Sequence, residues 1–448
     1  MDKARTTSVW ITAVLLAAMI AGYGLWVIIQ PPAYWEIFLF VTLLFLLYCA
    51  AVVRFVPYLL AYFARGTEPH LERTGERTYR RCGVRELTKI ILLVMLLRLV
   101  QLLLTYIIRL GTFGYTETFF TVQRLWLDFF HVEYCFPGYA LFSNIFWFVT
   151  FNFNHARFVA SYVLTAVAAA SVYYWALVDF NRPVARHTMV YFLLMPAACL
   201  LLGTLPDGMF VLCTMLSLLF TRRRKFILGN LFAMLAVTTH ILGVLLFVPC
   251  IIEFLQMLTV DLRTHQEERS GYLMNRIVSA LSFLLIPLGF AFVLLYSRIR
   301  FGESTALFRA AMDAYGYRLS SPFASVAGLC EKLLEALHTQ EGTVLLASLG
   351  DTVPGLFYLL LGAVMLLLAP GRIRTSYIAY MLATYAVVLC TGSLWEVPRL
   401  LSLCVPFTLT FALSFKQRWM HHVLYILCAA GFLAYLWMVV CGYTMYGA

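Results

Sequence analysis

The stretch TKIILLVMLLRLVQLLLTYIIRL, residues 88–110, decides the fold class of this chain. It is one continuous apolar run, and a helix needs roughly 20 such residues to cross a bilayer. A transmembrane β-strand would instead show about 10 residues of alternating polarity. Because backbone groups at hydrocarbon depth must be paired within the protein, the run predicts a membrane-spanning α-helix. Arg98 and Arg109 interrupt it, and an arginine so deep is costly unless it is paired or faces a cavity.

The composition extends this prediction to the whole chain of 448 residues, of which 62% are hydrophobic and 12% are charged. A soluble domain has about 45–50% apolar and about 25% charged residues. We therefore predict an all-α polytopic membrane protein with about 13 transmembrane helices. The basic residues behind the net charge of +11 cluster between the predicted spans, as cytoplasmic loops require, so we expect no nucleic-acid partner. The 11 cysteines lack metal-ligand spacing, so we predict neither a metal nor another cofactor.

Basic clusters such as 222–225 are expected in the cytoplasm and fix the direction of each crossing. Residues 138–151 are too few to cross about 30 Å of hydrocarbon, so we predict an interfacial helix there and one external element over 111–157. The run 226–256 is too long for one crossing and is expected to cross twice, turning near His240. The predicted divisions are 1–87, two N-terminal helices and a basic cytoplasmic loop; 88–297, the core with the loop 111–157; 298–351, a long external loop; and 352–448, the C-terminal helices.

Acidic and aromatic side chains are concentrated in the predicted external loop that follows residue 110. Residues 111–137 read GTFGYTETFFTVQRLWLDFFHVEYCFP, and the carboxylates of Glu117 and Asp128 stand among aromatic rings. A carboxylate near apolar surface loses hydration, which makes it a better proton acceptor for a sugar hydroxyl. The alternative is that these residues are interfacial anchors and solvated acids, since aromatic belts are normal at this depth.

The segment from Glu117 to Phe136-Pro137-Gly138-Tyr139 resembles the first luminal loop of the PIG-V family, the GPI mannosyltransferase II family with bacterial relatives. These proteins are GT-C membrane glycosyltransferases, so the resemblance implies a GT-C-type fold. Members carry Trp-Asp, an aromatic run and then Phe-Pro-x-(Phe/Tyr). Here Thr116-Glu117 stands in the place of Trp-Asp.

The resemblance continues over residues 88–415. Residues 196–210 match an acidic family segment at Asp207, and residues 238–243 match a Thr-Arg-x-x-Gly turn with His240 near the Arg. Phe301-Gly302-Glu303 resembles the start of the family's large loop. Val397-Pro398-Arg399 resembles a late Pro-Arg-Tyr in which Leu400 replaces the tyrosine.

The resemblance implies an inverting transfer of a hexose, mannose in the family, from a polyprenyl- or dolichyl-phosphate donor to a lipid-linked or cell-envelope acceptor outside the membrane. Glu117 is the expected base with Asp128 as its substitute, and Asp207 orients the acceptor. Arg399, whose fork matches phosphate oxygens, and His240 are expected to bind the donor phosphate. Four aromatic or rigid residues are expected to support the loop and the site: Phe136, Pro137, Tyr139 and Trp395.

Two other functions stay open from the sequence. A polytopic lipid or sugar transporter, or a flippase, would show internal repeats and charges at mid-bilayer, whereas polar residues here gather at one surface. A non-catalytic subunit with the same fold is the other alternative, because Trp-Asp is missing. Membrane lipids, the sugar donor and a lipid or glycan acceptor are the expected partners. The expected location is a bacterial cell membrane, or the endoplasmic reticulum membrane if the source is eukaryotic.

Overall fold

The computed structural model describes residues 2–32, 34–65, 82–113, 136–202, 206–264, 276–339 and 341–444. Throughout these ranges the regular structure is helical and contains no strand, which confirms the predicted all-α class. The main helices, in chain order, are α1 (Asp2–Ile29), α2 (Trp35–Arg65), α3 (Val84–Phe113), α4 (Pro137–Ser143), α5 (Trp147–Thr150), α6 (Phe153–Asp179), α7 (Arg182–Leu194), α8 (Asp207–Arg222), α9 (Phe226–Thr239), α10 (Phe247–Thr264), α11 (Leu285–Phe301), α12 (Ala306–Tyr315), α13 (Pro322–Thr339), α14 (Gly342–Leu368), α15 (Thr375–Leu389), α16 (Val397–Leu403), α17 (Val405–Ser414) and α18 (Arg418–Val440).

Within the described ranges, eight helices are long and apolar enough to cross a membrane, so this is a multi-pass membrane protein. They are Thr7–Ile29, Trp35–Ala64, Val84–Arg109, His155–Asp179, Ile241–Arg263, Arg276–Phe301, Gly342–Leu368 and Arg418–Val440. A ninth span is formed if residues 394–403 and 405–414 count as one broken helix, bent by 75°. The remaining crossings of the expected 13 fall on shorter helices, among them α9 and α15, so that number stays a prediction.

Residues 137–150 form short helical pieces, α4, a 3₁₀ turn and α5, and not a span. Fourteen residues of helix reach only about 21 Å, in agreement with the predicted interfacial element. Tyr139 is buried against the bundle, whereas Phe148 and Val149 are 73% and 78% exposed. An apolar outer face of this kind suits the boundary between headgroups and acyl chains.

The long apolar run that begins at Phe226 is broken at His240, as predicted. Helix α9 ends at Thr239, His240 adopts an extended backbone (φ −155°, ψ 140°), and a 3₁₀ segment leads into α10. Phe226 at the start of α9 packs against Phe254 of α10, with ring centroids 5.3 Å apart. The two helices are therefore antiparallel, and the turn at His240 lies at the opposite end from Phe226.

A buried ionic network joins five helices at the end of the bundle where Arg222 lies, here named the basic end. Arg374, just before α15, donates to Glu253 of α10 through Nε (2.9 Å) and Nη2 (3.2 Å), and to the Tyr62 hydroxyl of α2 (2.8 Å). Arg222 of α8 donates to Asp179 of α6 at 2.9 Å. Arg222, from a cluster expected in the cytoplasm, and Arg374 thus lie in one network and are paired with acids, because an unpaired charge would be costly there.

We predict that Glu253→Ala destabilises the protein strongly, because it leaves Arg374 without its main carboxylate. Breaking a buried pair costs about 3–5 kcal/mol. Thermal unfolding of the purified protein, followed by circular dichroism, measures the loss. The matched control is Glu303→Ala, which removes the exposed pair with Arg309 and should cost under about 1 kcal/mol. Equal losses for the two variants would contradict the proposed importance of the network.

Candidate functional site

An arginine–carboxylate pair is buried at the opposite end of α8 from Arg222, here named the site end. Asp207 is the first residue of α8 and is fully buried. Arg399 lies in the first turn of α16, behind Pro398, and is 4% exposed. Its Nε donates to one Asp207 carboxylate oxygen at 2.8 Å and its Nη2 to the other at 2.9 Å. This two-pronged geometry is the strongest form of the interaction.

A second carboxylate completes this cluster, which we name the site triad: Asp207, Arg399 and Glu396. Arg399 Nη1 donates to Glu396 Oε1 at 2.6 Å, and the Tyr317 hydroxyl donates to Glu396 Oε2. Glu396 is three residues before Arg399, so one turn of chain presents both groups. The formal charge of the triad is −1, because two carboxylates face one guanidinium.

A tight turn brings Tyr317 and Glu396 together. Gly392 has φ +70°, a left-handed conformation that glycine adopts without strain. A side chain at Gly392 would also meet the Arg318 carbonyl oxygen at 2.5 Å. The Arg318 N–H donates to the Thr391 carbonyl at 2.8 Å, which fixes the segment carrying Tyr317 against the turn carrying Trp395.

His240 is buried beside the triad. Its ring lies 5.1 Å from the Phe210 ring, centroid to centroid, and its Nδ1 accepts a hydrogen bond from the Leu242 N–H at 3.2 Å. Burial, and after it the positive charge of Arg399, lower the pKa of His240 to about 4, although the negative charge of Asp207 opposes them. The ring is therefore neutral at physiological pH and carries its proton on Nε2, so it meets a ligand as a hydrogen-bond donor and not as a cation.

Three of the predicted loop-support residues, Phe136, Pro137 and Tyr139, lie at the start of α4, which packs beside the turn at His240. Gly138 packs so tightly on Thr238 that a side chain there would meet the Thr238 carbonyl oxygen at 2.8 Å. The Tyr139 hydroxyl donates to the Arg157 carbonyl at 2.6 Å, and Phe136 packs on Phe308. Pro137 begins α4. The end of the predicted external loop thus reaches the site end.

The two expected bases, Glu117 and Asp128, lie outside the described residues, as does all of 114–135. Their roles stay predictions. The described chain stops at Phe113, the end of α3, and resumes at Phe136.

Arg98 lies deep in α3 and is 4% exposed. Its Nη2 donates to the Leu201 carbonyl, which also accepts from the Thr165 hydroxyl at 3.1 Å. Thr165 in turn packs on Gly208, where a side chain would meet the Thr165 hydroxyl oxygen at 2.6 Å. Arg98 is therefore linked to Gly208, the residue next to Asp207, by way of the Leu201 carbonyl and the Thr165 hydroxyl.

The Nε of Arg98 finds no hydrogen-bond partner within the described part of the chain. A buried N–H without a partner carries the full cost of its lost hydration. At about 1.5 Å per residue, Arg98, Thr165 and Asp207 all lie about 21 Å from the basic ends of their helices. The guanidinium and the triad consequently share one layer of the bundle.

The sequence predicted Asp207, His240, Arg399 and Trp395 as site residues. The structure brings the first three together, whereas Trp395 precedes Glu396 and lines a neighbouring cavity. Sequence reasoning did not assign a role to Glu396 or Tyr317. The spacing of Glu396 and Arg399, three residues apart within a helix start, was the available signal for the first; no local pattern marks Tyr317. Among the described residues, no group of three or more His, Cys, Asp or Glu side chains is placed to hold a metal ion.

Comparison with known proteins adds no identification: no family model, curated protein or solved structure matches the chain.

We predict that Asp207 and Arg399 are energetically coupled. Asp207→Ala leaves Arg399 partly uncompensated, and Arg399→Ala leaves two buried carboxylates facing each other, so each should cost about 3–5 kcal/mol. The double variant should cost less than the sum by on the order of 0.5–3 kcal/mol. Thermal unfolding of the four proteins gives this difference, and additive losses would show that the pair contributes no coupling.

Proposed function

We propose that the protein is an inverting GT-C-type membrane glycosyltransferase that moves a hexose, mannose, from a polyprenyl- or dolichyl-phosphate donor to a lipid-linked or cell-envelope acceptor. The supporting observation is that separated segments meet at one end of the bundle: Pro137-Gly138, Thr238 to His240, Asp207 and Arg399. These are the segments that carry the resemblance to the PIG-V family. We place the enzyme in a bacterial cell membrane, with its site end outside.

In the proposed reaction, an acceptor hydroxyl oxygen bonds to the anomeric carbon of the donor sugar. The bond between that carbon and the phosphate oxygen breaks, and its electron pair stays on the phosphate. The hydroxyl proton passes to a carboxylate, Glu117 or Asp128, as general base. Asp207 orients the acceptor. The products are the glycosylated acceptor and a lipid phosphate that has gained one negative charge.

The growing charge on the phosphate needs cations that are already in position. Arg399 is one, but Asp207 and Glu396 bind three of its N–H groups and give the triad a net negative formal charge. His240 is neutral and offers only a hydrogen bond. Arg98 supplies the missing charge in our proposal, because it lies in the same layer and its Nε has no partner within the described residues. A buried arginine held mainly by a carbonyl is costly, and a bound anion would offset that cost.

The test is transfer by the purified full-length protein in proteoliposomes. Radiolabelled polyprenyl-phosphate mannose is supplied with a panel of lipid acceptors, and both the labelled acceptor and free polyprenyl phosphate are measured. We expect the two products in equal amounts. Movement of the intact donor across the bilayer without release of polyprenyl phosphate would instead identify a transporter or flippase. If neither transfer nor movement of the donor occurs with any acceptor, the result would favour a non-catalytic subunit.

We predict that Glu117→Gln nearly abolishes transfer while donor binding persists, because glutamine keeps the shape but accepts no proton. The loss of a general base costs on the order of 10²–10⁴ in rate. Asp128→Asn is the matched control and should retain transfer. The reverse result would make Asp128 the base, and two active variants would exclude a base at either position.

We predict that Arg98→Met leaves the fold intact but weakens the donor reaction at least tenfold. Methionine removes the unpaired N–H, and the Leu201 carbonyl keeps its bond from Thr165, so thermal stability should change by less than about 1 kcal/mol. Arg98→Lys retains the charge and should restore part of the activity. The readout is the KM for the donor and kcat, measured beside the unfolding midpoint. Full activity in Arg98→Met would show that Arg98 acts only within the fold.

A further inference from the structure

A cavity of about 400 Å³ lies beside Trp395, between α13, α14 and the turn before α16. Trp395 lines this cavity, and the next residue in the same 3₁₀ turn, Glu396, binds Arg399. A ligand in the cavity would therefore lie one residue from the site triad. We name it the polar cavity.

The lining of the polar cavity is unusual in a chain that is 62% hydrophobic. It combines hydroxyls, carboxylates, an ammonium group and an indole: Ser325, Thr352, Glu335, Asp351, Lys332 and Trp395. A second cavity, of about 220 Å³ between α1, α2, α13 and α15, is lined almost entirely by apolar side chains and includes Gly22. The two cavities differ in chemistry, and only the polar one offers several hydrogen-bonding groups.

We infer that the polar cavity binds a neutral polyhydroxylated headgroup, the sugar of the glycosyl acceptor. This inference rests on the proposed function. Carboxylates accept and an ammonium donates hydrogen bonds, so Asp351, Glu335 and Lys332 can engage neighbouring hydroxyls of a sugar ring. The indole of Trp395 supplies a large, rigid and partly apolar face for the C–H side of that ring.

Charge and size separate this ligand from the donor phosphate. Two carboxylates against one ammonium give the named lining a negative formal charge, which repels an anion. Cavities of about 300–1,000 Å³ hold small molecules through a few convergent polar groups. The acceptor sugar fits both conditions, and the phosphate is left to Arg98 and Arg399.

Gly328 provides a way to fill the polar cavity without disturbing its walls. It lies within α13 and lines the cavity, and no atom lies within 4 Å of the position that its Cβ would occupy. Glycine is also a poor residue for a helix interior, and leucine is a good one. Gly328→Leu should therefore fold at least as well as the native chain while its side chain takes the place of the ligand.

The experiment is saturation-transfer NMR on the full-length protein in nanodiscs, with methyl α-mannopyranoside as the probe. We expect transfer to the sugar ring protons in the native protein. In Gly328→Leu the signal should fall to that of empty nanodiscs, and in Asp351→Asn it should fall several-fold. Gly24→Leu is the matched control, because Gly24 is also helical with open space around it but is absent from the linings of both cavities. It should leave the signal unchanged.

Three outcomes would overturn the inference. The first is that Gly328→Leu gives the same signal as the native protein and has an unchanged unfolding temperature. The second is that the signal is lost only in Gly22→Leu, which fills the apolar cavity. The third is that octyl phosphate displaces the sugar but octyl mannoside does not. The readout needs no transfer reaction, so the two proposals fail separately. Transfer without Gly328-dependent sugar binding would remove the inference and keep the proposed function. Sugar binding in this cavity without transfer to any acceptor would keep the sugar site and would remove both the proposed function and the assignment of that sugar to a glycosyl acceptor.

Discussion

Arg399 and Asp207 join a helix from the middle of the chain to a helix near its end through two parallel hydrogen bonds. Neither group tolerates burial alone, since an unpaired ion in an apolar interior costs several kcal/mol. The pairing therefore dictates that α8 and α16 begin side by side. At the basic end, Arg374 and Glu253 impose the same condition on α10 and the start of α15. The relative positions of these helices are thus fixed by charge at both ends, and apolar packing fills the space between.

The two ionic networks differ in a way that bears on function. At the basic end, Arg374 donates to Glu253 and to the Tyr62 hydroxyl, Arg222 donates to Asp179, and Ser376 donates to Glu253. The two arginines thus match the two carboxylates in number. At the site end, the acids of the triad outnumber its arginine, and Arg98 is linked through the Leu201 carbonyl and Thr165 to Gly208, the residue next to Asp207. Equal numbers of acids and arginines suit a structural role. At the site end the numbers are unequal and the buried Nε–H of Arg98 has no partner among the described residues, so a charged ligand could be bound there.

Local sequence was sufficient for the helices, because long apolar runs such as 88–110 have no other way to pair their backbone in a membrane. It also located the break at His240, where two threonines and a histidine interrupt the run. It could not show that α7 ends at Leu194 and continues as the 3₁₀ segment Pro196–Leu202. The carbonyls of Cys199 and Leu201 are satisfied there by Gln101 and Arg98 of α3.

The same limit applies to the site. The resemblance brought Asp207, His240 and Arg399 forward as site residues, but the partners of Arg399 depend on how distant helices pack. Tyr317 reaches Glu396 only because the backbone of Arg318 is bonded to Thr391. Such contacts cannot be predicted from hydropathy or from the spacing of residues along the chain. Glu117 and Asp128 lie outside the described residues, so their part of the site is still known from sequence alone.

The short helices α4 and α5, predicted to lie at the bilayer surface, connect an exposed apolar face to the candidate site. Their outer face presents Phe148 and Val149, and their inner end places Gly138 against Thr238 with no room for even a methyl group. Binding of such a face depends on lipid composition and curvature. If α4 and α5 lie at the bilayer surface as predicted, lateral pressure among the headgroups would reach the turn that carries His240 through the tight contact of Gly138 with Thr238. The lipid around the protein would then act as an effector, because the composition of the membrane would influence the resting geometry of the site.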